Sequence, residues 1–147
     1  MTQENKELLL RDLCSRLPYD VKCKIEMWIG YDVCTIYNIN SIGYVEIVED
    51  SDTNGVSVER VKPYLFPLSS MTDELWDKEF RGFREYGITE FTRDSFKYGC
   101  ETLEFNNSNP DLSSMVRFIN QLIKNHFDIY GLIPMGLAID ATGLNIY

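Results

Sequence analysis

The sequence predicts a single α+β domain over residues 1–147, with an N-terminal helix, a four-stranded antiparallel meander, two later helices on one face and an apolar C-terminal tail. Three observations predict this class. Helical periodicity marks both the beginning and the last third of the chain, residues 21–61 alternate with short turns, and 44% of residues are hydrophobic. A chain of this length buries roughly 70% of its unfolded surface, enough for one core without disulfides or metals.

The first element is a helix over about residues 4–17. Apolar residues recur at three- and four-residue spacing, which turns one side of the helix toward a core. Pro18 ends the helix because its ring nitrogen has no hydrogen to donate. The predicted buried face consists of Leu9, Leu10, Leu13, Cys14 and Leu17.

The clearest strand covers residues 21–29. Apolar residues occupy every odd position, and Lys22, Lys24 and Glu26 occupy even ones. Because side chains alternate between the two faces of a strand, one face is buried and the other faces water. Trp28 lies on the lysine-bearing face.

Three further strands complete the meander. Short turns separate them, and Asn54-Gly55 before the last one is a strong hairpin signal because both residues tolerate positive φ. Connections this short join antiparallel neighbours. The predicted strands cover residues 33–39, 44–49 and 56–61.

Pro63 and Pro67 bracket the extended segment Tyr64-Leu65-Phe66. Proline cannot donate to a sheet ladder, so we expect this segment to stay out of the middle of a sheet. It would then cross an edge or cover the core.

Two helices are predicted in the second half of the chain. Ser70 or Thr72 can cap the first helix, whose apolar stripe is aromatic. Residues 88–109 alternate only weakly and end in a loop rich in asparagine. The last helix covers about residues 111–127, and the tail beyond it adds a strand or a loop. The aromatic stripe of the first helix consists of Trp76, Phe80 and Phe83.

Charge and hydropathy exclude several classes of protein. The chain has 23 acidic and 14 basic residues, a net charge of −9. This charge repels phosphate backbones, so nucleic acid is not an expected partner. The N-terminus lacks a signal-peptide pattern, and no run reaches the ~18 apolar residues of a membrane span. We therefore expect a cytoplasmic protein without membrane attachment.

The four cysteines are Cys14, Cys23, Cys34 and Cys100, and they form no C-x-x-C pair. The first three fall on apolar faces of predicted elements, where a small thiol packs well. This pattern favours reduced core cysteines over a zinc site or a disulfide. No cofactor is predicted.

Residues 50–55 resemble the start of a calcium-binding loop. Asp50, Asp52 and Asn54 supply oxygen atoms at the first, third and fifth positions, and glycine follows at the sixth. The twelfth position, which requires a bidentate glutamate, is Val61, and no amphipathic helices flank the loop. An acidic hairpin explains the same residues, so weak calcium binding is a minor alternative.

His126 is the only histidine, so any nucleophilic chemistry that needs an imidazole must use it. Asp128 could orient its ring, and Cys100 or Ser95 could act as nucleophile, but nothing in the spacing brings them together. A histidine at a helix C-terminus also has an ordinary structural role. A small enzyme or ligand-binding protein that uses His126 and Asp128 near the tail is therefore the alternative function, and it predicts a cleft at the end of the last helix.

Aromatic residues make up 13% of the chain, more than one core readily holds. Trp28 lies on a polar strand face, and Tyr64 and Phe66 lie between prolines, where side chains often protrude. Exposed tryptophan and tyrosine favour protein interfaces because each buries a large rigid surface. These three residues are the predicted interface. For Trp28, packing beneath the N-terminal helix or the tail is equally compatible with the sequence.

Three segments carry a resemblance to a known family: KELLLRDLCSRLPY at 6–19, VKPYLFPLSSMT at 61–72 and NHFDIYGLIPMGLA at 125–138. They are similar to a family of small uncharacterised proteins encoded by phages and mobile elements of gut anaerobic bacteria. The resemblance implies a mobile-element setting in a bacterial host cell. It implies no activity, cofactor or functional residue.

The sequence contains no complete catalytic constellation. We therefore expect a non-enzymatic protein-binding accessory protein of phage or mobile-element origin, whose partner is a host or element-encoded protein. Edge strands of a short meander also make a homodimer compatible with the sequence.

Overall fold

The computed structural model describes residues 1–26, 33–48, 55–86, 88, 90–97 and 111–147. Contacts within the chain define two compact units. Unit 1 comprises Met1–Leu65 and Tyr130–Tyr147, and unit 2 comprises Phe66–Ile129. Each unit has a hydrophobic core of its own. A single domain over residues 1–147 stays a prediction.

Unit 1 consists of an N-terminal helix and a six-stranded mixed sheet, which confirms the α+β class. The strand order is β4-β3-β2-β1-β5-β6, in which β1 to β4 form the predicted antiparallel meander. β5 is antiparallel to β1, and β6 is parallel to β5. The elements are α1 Gln3–Arg16, β1 Lys22–Ile25, β2 Cys34–Ile39, β3 Tyr44–Ile47, β4 Val56–Ser57, β5 Val61–Leu65 and β6 Ile139–Asp140.

The strand predicted over residues 56–61 is divided. β4 pairs with β3 for two residues, Val58–Arg60 forms a 3₁₀ turn, and the chain then enters β5 and pairs with β1. Gly55, the predicted turn residue, has a φ of +81°. A Cβ atom there would lie 3.1 Å from a backbone carbonyl oxygen of β3, so glycine suits this position for both reasons.

The expectation that the proline-bounded segment stays out of the sheet is wrong. β5 lies between β1 and β6, and Pro63 is opposite Cys23. The N–H of Glu26 donates to the carbonyl of Arg60 over 2.8 Å, so this pair is hydrogen-bonded. Bonded and non-bonded pairs alternate along an antiparallel ladder, which makes the Pro63–Cys23 pair non-bonded. The absence of an N–H on Pro63 therefore costs no hydrogen bond to β1.

The hydroxyl of Tyr147 completes the ladder between β1 and β5. Lys22 and Tyr64 are the next pair in this register. Because bonded and non-bonded pairs alternate, this pair is expected to be hydrogen-bonded. The N–H of Lys22 donates to the Tyr147 hydroxyl over 3.2 Å, and that hydroxyl donates to the Tyr64 carbonyl over 2.8 Å. Although Tyr147 is 43% exposed as a whole, burial of its hydroxyl raises its pKa, so the proton that it donates is retained.

A buried ion pair lies on the core side of α1. The guanidinium of Arg16 donates to both carboxylate oxygens of Asp12 over 2.8 and 2.7 Å, and both side chains are fully buried. They share their face with Leu9 and Leu13, whereas Cys14, predicted to be buried, is exposed. The bidentate geometry offsets part of the desolvation of two charges.

Unit 2 contains three α-helices among its described residues: α2 Asp73–Glu79, α3 Glu90–Lys97 and α4 Leu112–Lys124. The hydroxyl of Thr72 caps α2 by accepting from the backbone N–H of Leu75. The core is aromatic, as predicted, although α2 ends at Glu79 and Phe83 lies in the 3₁₀ helix Arg81–Tyr86. The ring of Phe80 lies 5.6 Å from that of Trp76 and 5.7 Å from that of Phe118.

Two elements of unit 2 differ from the sequence expectation. α3 lies in a stretch where the sequence shows only weak alternation. In α4, helical spacing of the apolar residues predicts a buried face that includes Leu112 and Val116, but both are exposed, and Phe118 is buried instead. Phe118 packs on four rings of the aromatic core, so its position determines which face of α4 is buried. These rings belong to Trp76, Phe80, Phe83 and Phe96.

We expect Tyr147→Phe to lower the free energy of unfolding by about 1–3 kcal/mol, because it removes the bridge between two backbone groups of the sheet. Urea unfolding followed by circular dichroism measures the change. Tyr130→Phe, in the same tail segment, is the control and should change stability by less than about 0.5 kcal/mol. Equal effects of the two substitutions would contradict the bridging role.

We expect Arg16→Met to lower the free energy of unfolding by about 3–5 kcal/mol, because it leaves the Asp12 carboxylate buried without its partner. Adding Asp12→Leu to this variant should recover much of the loss. Lys62→Met, which breaks the partly exposed 2.8 Å ion pair with Glu26, should change stability by at most about 1 kcal/mol. Urea unfolding of the four proteins tests this order, and a double variant less stable than Arg16→Met would contradict it.

Candidate functional site

His126 ends α4 through its backbone. Its φ is +59°, and its N–H donates to the carbonyl of Ile123 over 3.0 Å. The N–H of Phe127 donates to the carbonyl of Leu122, also over 3.0 Å. These two bonds define a Schellman motif, in which glycine usually occupies the position of His126.

Backbone bonds to Phe66 hold the residues around His126. The N–H of Phe66 donates to the carbonyl of His126 over 2.9 Å, and the N–H of Asp128 donates to the carbonyl of Phe66 over 2.8 Å. His126 is 8% exposed, and Asp128 is also buried. Both candidate catalytic residues are therefore buried just after α4, and a catalytic role for them stays a prediction. Cys100 lies outside the described residues.

The predicted interface residues have different environments. Trp28 lies outside the described residues. The expectation that Tyr64 protrudes is wrong, because β5 is an internal strand and the side chain is only 6% exposed. Phe66 is half-buried, and its ring lies 6.3 Å from that of Phe127.

The calcium-loop residues Asp50, Asp52 and Asn54 lie outside the described part of the chain. Within that part, no group of three or more His, Cys, Asp or Glu side chains is placed to hold a metal ion. No helix there has the length and apolar character needed to span a bilayer.

The outer side of β2 and β3 carries exposed apolar and aromatic side chains. Alternation turns the core residues of both strands inward and leaves Tyr37, Tyr44 and Val48 exposed. Tyr37 is 52% exposed, and Ile42, in the turn between the strands, is 74% exposed. We call Tyr37, Ile42, Tyr44, Glu46 and Val48 the β2–β3 face.

A β-bulge positions Tyr37 on this face. Ile36 pairs with Ile47 and Asn38 pairs with Glu46, so Tyr37 is an extra residue in β2. Bulges redirect side chains and are common near functional sites. A hydrogen bond to the Glu46 carboxylate raises the pKa of Tyr37, and the amide of Asn38 donates to the same carboxylate over 2.9 Å. Glu46 therefore orients the side chain of Tyr37.

The charge on this side of the sheet differs from that of the whole chain. The ammonium of Lys22 donates to the hydroxyl of Thr35 over 2.7 Å, beside the β2–β3 face. On the outer side of β1, β3 and β5 there are three lysines and one glutamate, whereas the chain carries a net charge of −9. Alternation places these four residues there: Lys22, Lys24, Glu46 and Lys62. Glu26, which follows β1, forms an ion pair with Lys62 over 2.8 Å.

Sequence reasoning missed the β2–β3 face. The alternation that predicts a buried Val45 also predicts that Tyr44 and Glu46 share the opposite face, so this signal was present. The position of Tyr37 depends on a bulge, and no sequence pattern indicated one.

No family model, curated protein or solved structure matches this chain.

We expect His126→Gly to be more stable than His126→Ala by about 1 kcal/mol, because both remove the imidazole and only alanine is strained at positive φ. Thermal or urea unfolding measures the difference. Asn120, exposed within α4, provides the control, because Asn120→Gly should be about 1 kcal/mol less stable than Asn120→Ala. The same order at both positions would contradict a backbone role for His126.

Proposed function

We propose that this protein is a non-enzymatic binding protein that contacts another protein through the β2–β3 face. The observation that carries the proposal is the exposure of Tyr37, Ile42, Tyr44 and Val48 along one hairpin of unit 1. Aromatic and aliphatic side chains that are buried at the centre of an interface supply most of its binding energy. The class of function is the one that the sequence predicts, whereas the contact surface is different.

The geometry of the face supports this role. Tyr37 and Tyr44 project from paired strands, whose backbone is less mobile than that of a loop. Hydrogen bonding of Glu46 to Tyr37 and Asn38 reduces the conformational freedom that binding would otherwise remove. A partner therefore meets a surface that is already ordered.

The partner that we propose is a host or element-encoded protein in a bacterial cell. The resemblance of residues 6–19, 61–72 and 125–138 to proteins of phages and mobile elements supports this setting. The lysines beside the β2–β3 face favour a partner surface with carboxylates at its rim, because opposite charges steer association.

The test is an affinity pull-down with full-length tagged protein from the lysate of a bacterial host, followed by titration of the recovered protein. We expect Tyr37→Ala with Tyr44→Ala to weaken binding at least tenfold, because each truncation of an interface anchor removes more than about 1 kcal/mol. Tyr130→Ala, a partly exposed tyrosine elsewhere in unit 1, should bind like the wild type. Unchanged binding by the double variant, with its fold confirmed by circular dichroism, would contradict the proposal.

A further inference from the structure

We propose that Cys23 and Cys34 form a redox-active pair, a site at which oxidation joins β1 to β2 by a disulfide. The two residues are direct partners in the β1–β2 register. The structure has both as thiols, fully buried in the core of unit 1. The inference rests on strand register and burial, and it is independent of the proposed binding function.

The distance between the Cα atoms of Cys23 and Cys34 depends on whether they form a hydrogen-bonded or a non-bonded pair. The N–H of Ile36 donates to the carbonyl of Val21 over 3.1 Å, which makes these opposed residues a bonded pair. Two steps further along the same register, Cys23 and Cys34 are again at a bonded position. Cα atoms of bonded antiparallel pairs lie about 5.5 Å apart, within the 4.4–6.8 Å that disulfides span. Their Cβ atoms lie about 4.5–5.5 Å apart, beyond the roughly 3.5–4.5 Å of a relaxed disulfide, so this disulfide would be strained and easily reduced.

The orientation of the side chains supports the same conclusion. Directly opposed residues of an antiparallel pair project to the same face of the sheet. Both cysteines therefore point into the core, where neither side chain is exposed. Cys14 does not compete for either thiol in the folded chain, because it is exposed on α1.

The position of the pair provides a route for oxidation. The described β1–β2 ladder contains the pairs Val21–Ile36, Lys22–Thr35 and Cys23–Cys34. The cysteines are the last of these pairs, so local opening of the ladder from that end reaches them first. Local opening of this kind requires less free energy than global unfolding.

The oxidant that we name is a low-molecular-weight disulfide such as oxidised glutathione. One cysteine thiolate attacks a sulfur atom of the oxidant, which forms a mixed disulfide and releases one small thiol. The second cysteine thiolate then attacks the protein sulfur of the mixed disulfide and releases the second small thiol. The protein loses two protons and two electrons, and the oxidant becomes two thiols.

The disulfide would connect two strands that have different partners. β1 also pairs with β5, and β2 carries Tyr37 of the β2–β3 face. Oxidation therefore fixes the strand that bears Tyr37 to the centre of the sheet. A thiol reductant reverses the link.

The experiment uses the full chain with Cys14→Ser and Cys100→Ser, so that only the proposed pair remains. The folded protein is incubated with oxidised glutathione without denaturant, and free thiols are then alkylated after the oxidant is removed and the protein is unfolded in acid and denaturant. We expect an intact mass lower by two hydrogen atoms, no alkylation, and a peptide in which Cys23 is joined to Cys34. Dithiothreitol should restore alkylation of both cysteines.

The matched control moves one thiol by a single residue. Cys34→Ser with Thr35→Cys, in the same background, places the second thiol on the opposite face of β2, where the register forbids the link. If the proposed pair remains fully alkylated, or if the control cross-links equally well, the proposal is overturned. Circular dichroism checks the fold of each variant, and peptide mapping of the oxidised wild-type chain gives the same answer if the serine background does not fold.

Discussion

The pairing of β1 on both sides is the constraint on which unit 1 depends. Backbone groups of alternate residues along β1 point toward β2 and toward β5. The phase of this alternation decides three features at once. It places Pro63 opposite Cys23 at a position where no hydrogen bond to β1 is needed. It directs the backbone N–H of Lys22 to the Tyr147 hydroxyl. It also places Cys23 and Cys34 at a hydrogen-bonded position. A shift of one residue in the β1–β5 register would remove the first two features, and a shift in the β1–β2 register would remove the third.

Local patterns in the sequence were sufficient to predict α1, the meander and the aromatic core of unit 2, because periodicity and turn residues act over a few positions. Which positions of a strand are hydrogen-bonded depends on how that strand pairs with its neighbour. The sequence alone therefore could not predict that Pro63 lies inside the sheet. The buried Asp12–Arg16 pair was missed because a charged residue is expected at the surface unless its partner is known. The available signal was that Asp12 lies three residues after Leu9 and Arg16 three residues after Leu13, which places both on the buried face of the helix.

The candidate site shows the same division. Alternation along β3 places Tyr44 outward, but the exposure of Tyr37 depends on a bulge that only strand pairing defines. Tyr64 and Phe66 were expected to be exposed from their proline neighbours, yet the structure buries the first and half-buries the second. Unit 1 therefore keeps an ion pair inside and leaves aromatic side chains outside, the reverse of the usual preference. The buried pair joins two successive turns of α1, and the exposed tyrosines belong to the contact surface that we propose.

Unit 1 is discontinuous in sequence, and this affects the order in which it is made. β6 and Tyr147 belong to the unit that begins at Met1, but the whole of unit 2 is synthesised before them. At about 5–20 residues per second, a ribosome needs several seconds to make this intervening segment. During that interval the β5 edge and the N–H of Lys22 lack their final partners, so a nascent chain presents an unpaired strand to chaperones and to neighbouring chains. Translation speed through unit 2 thus sets how long this edge stays open.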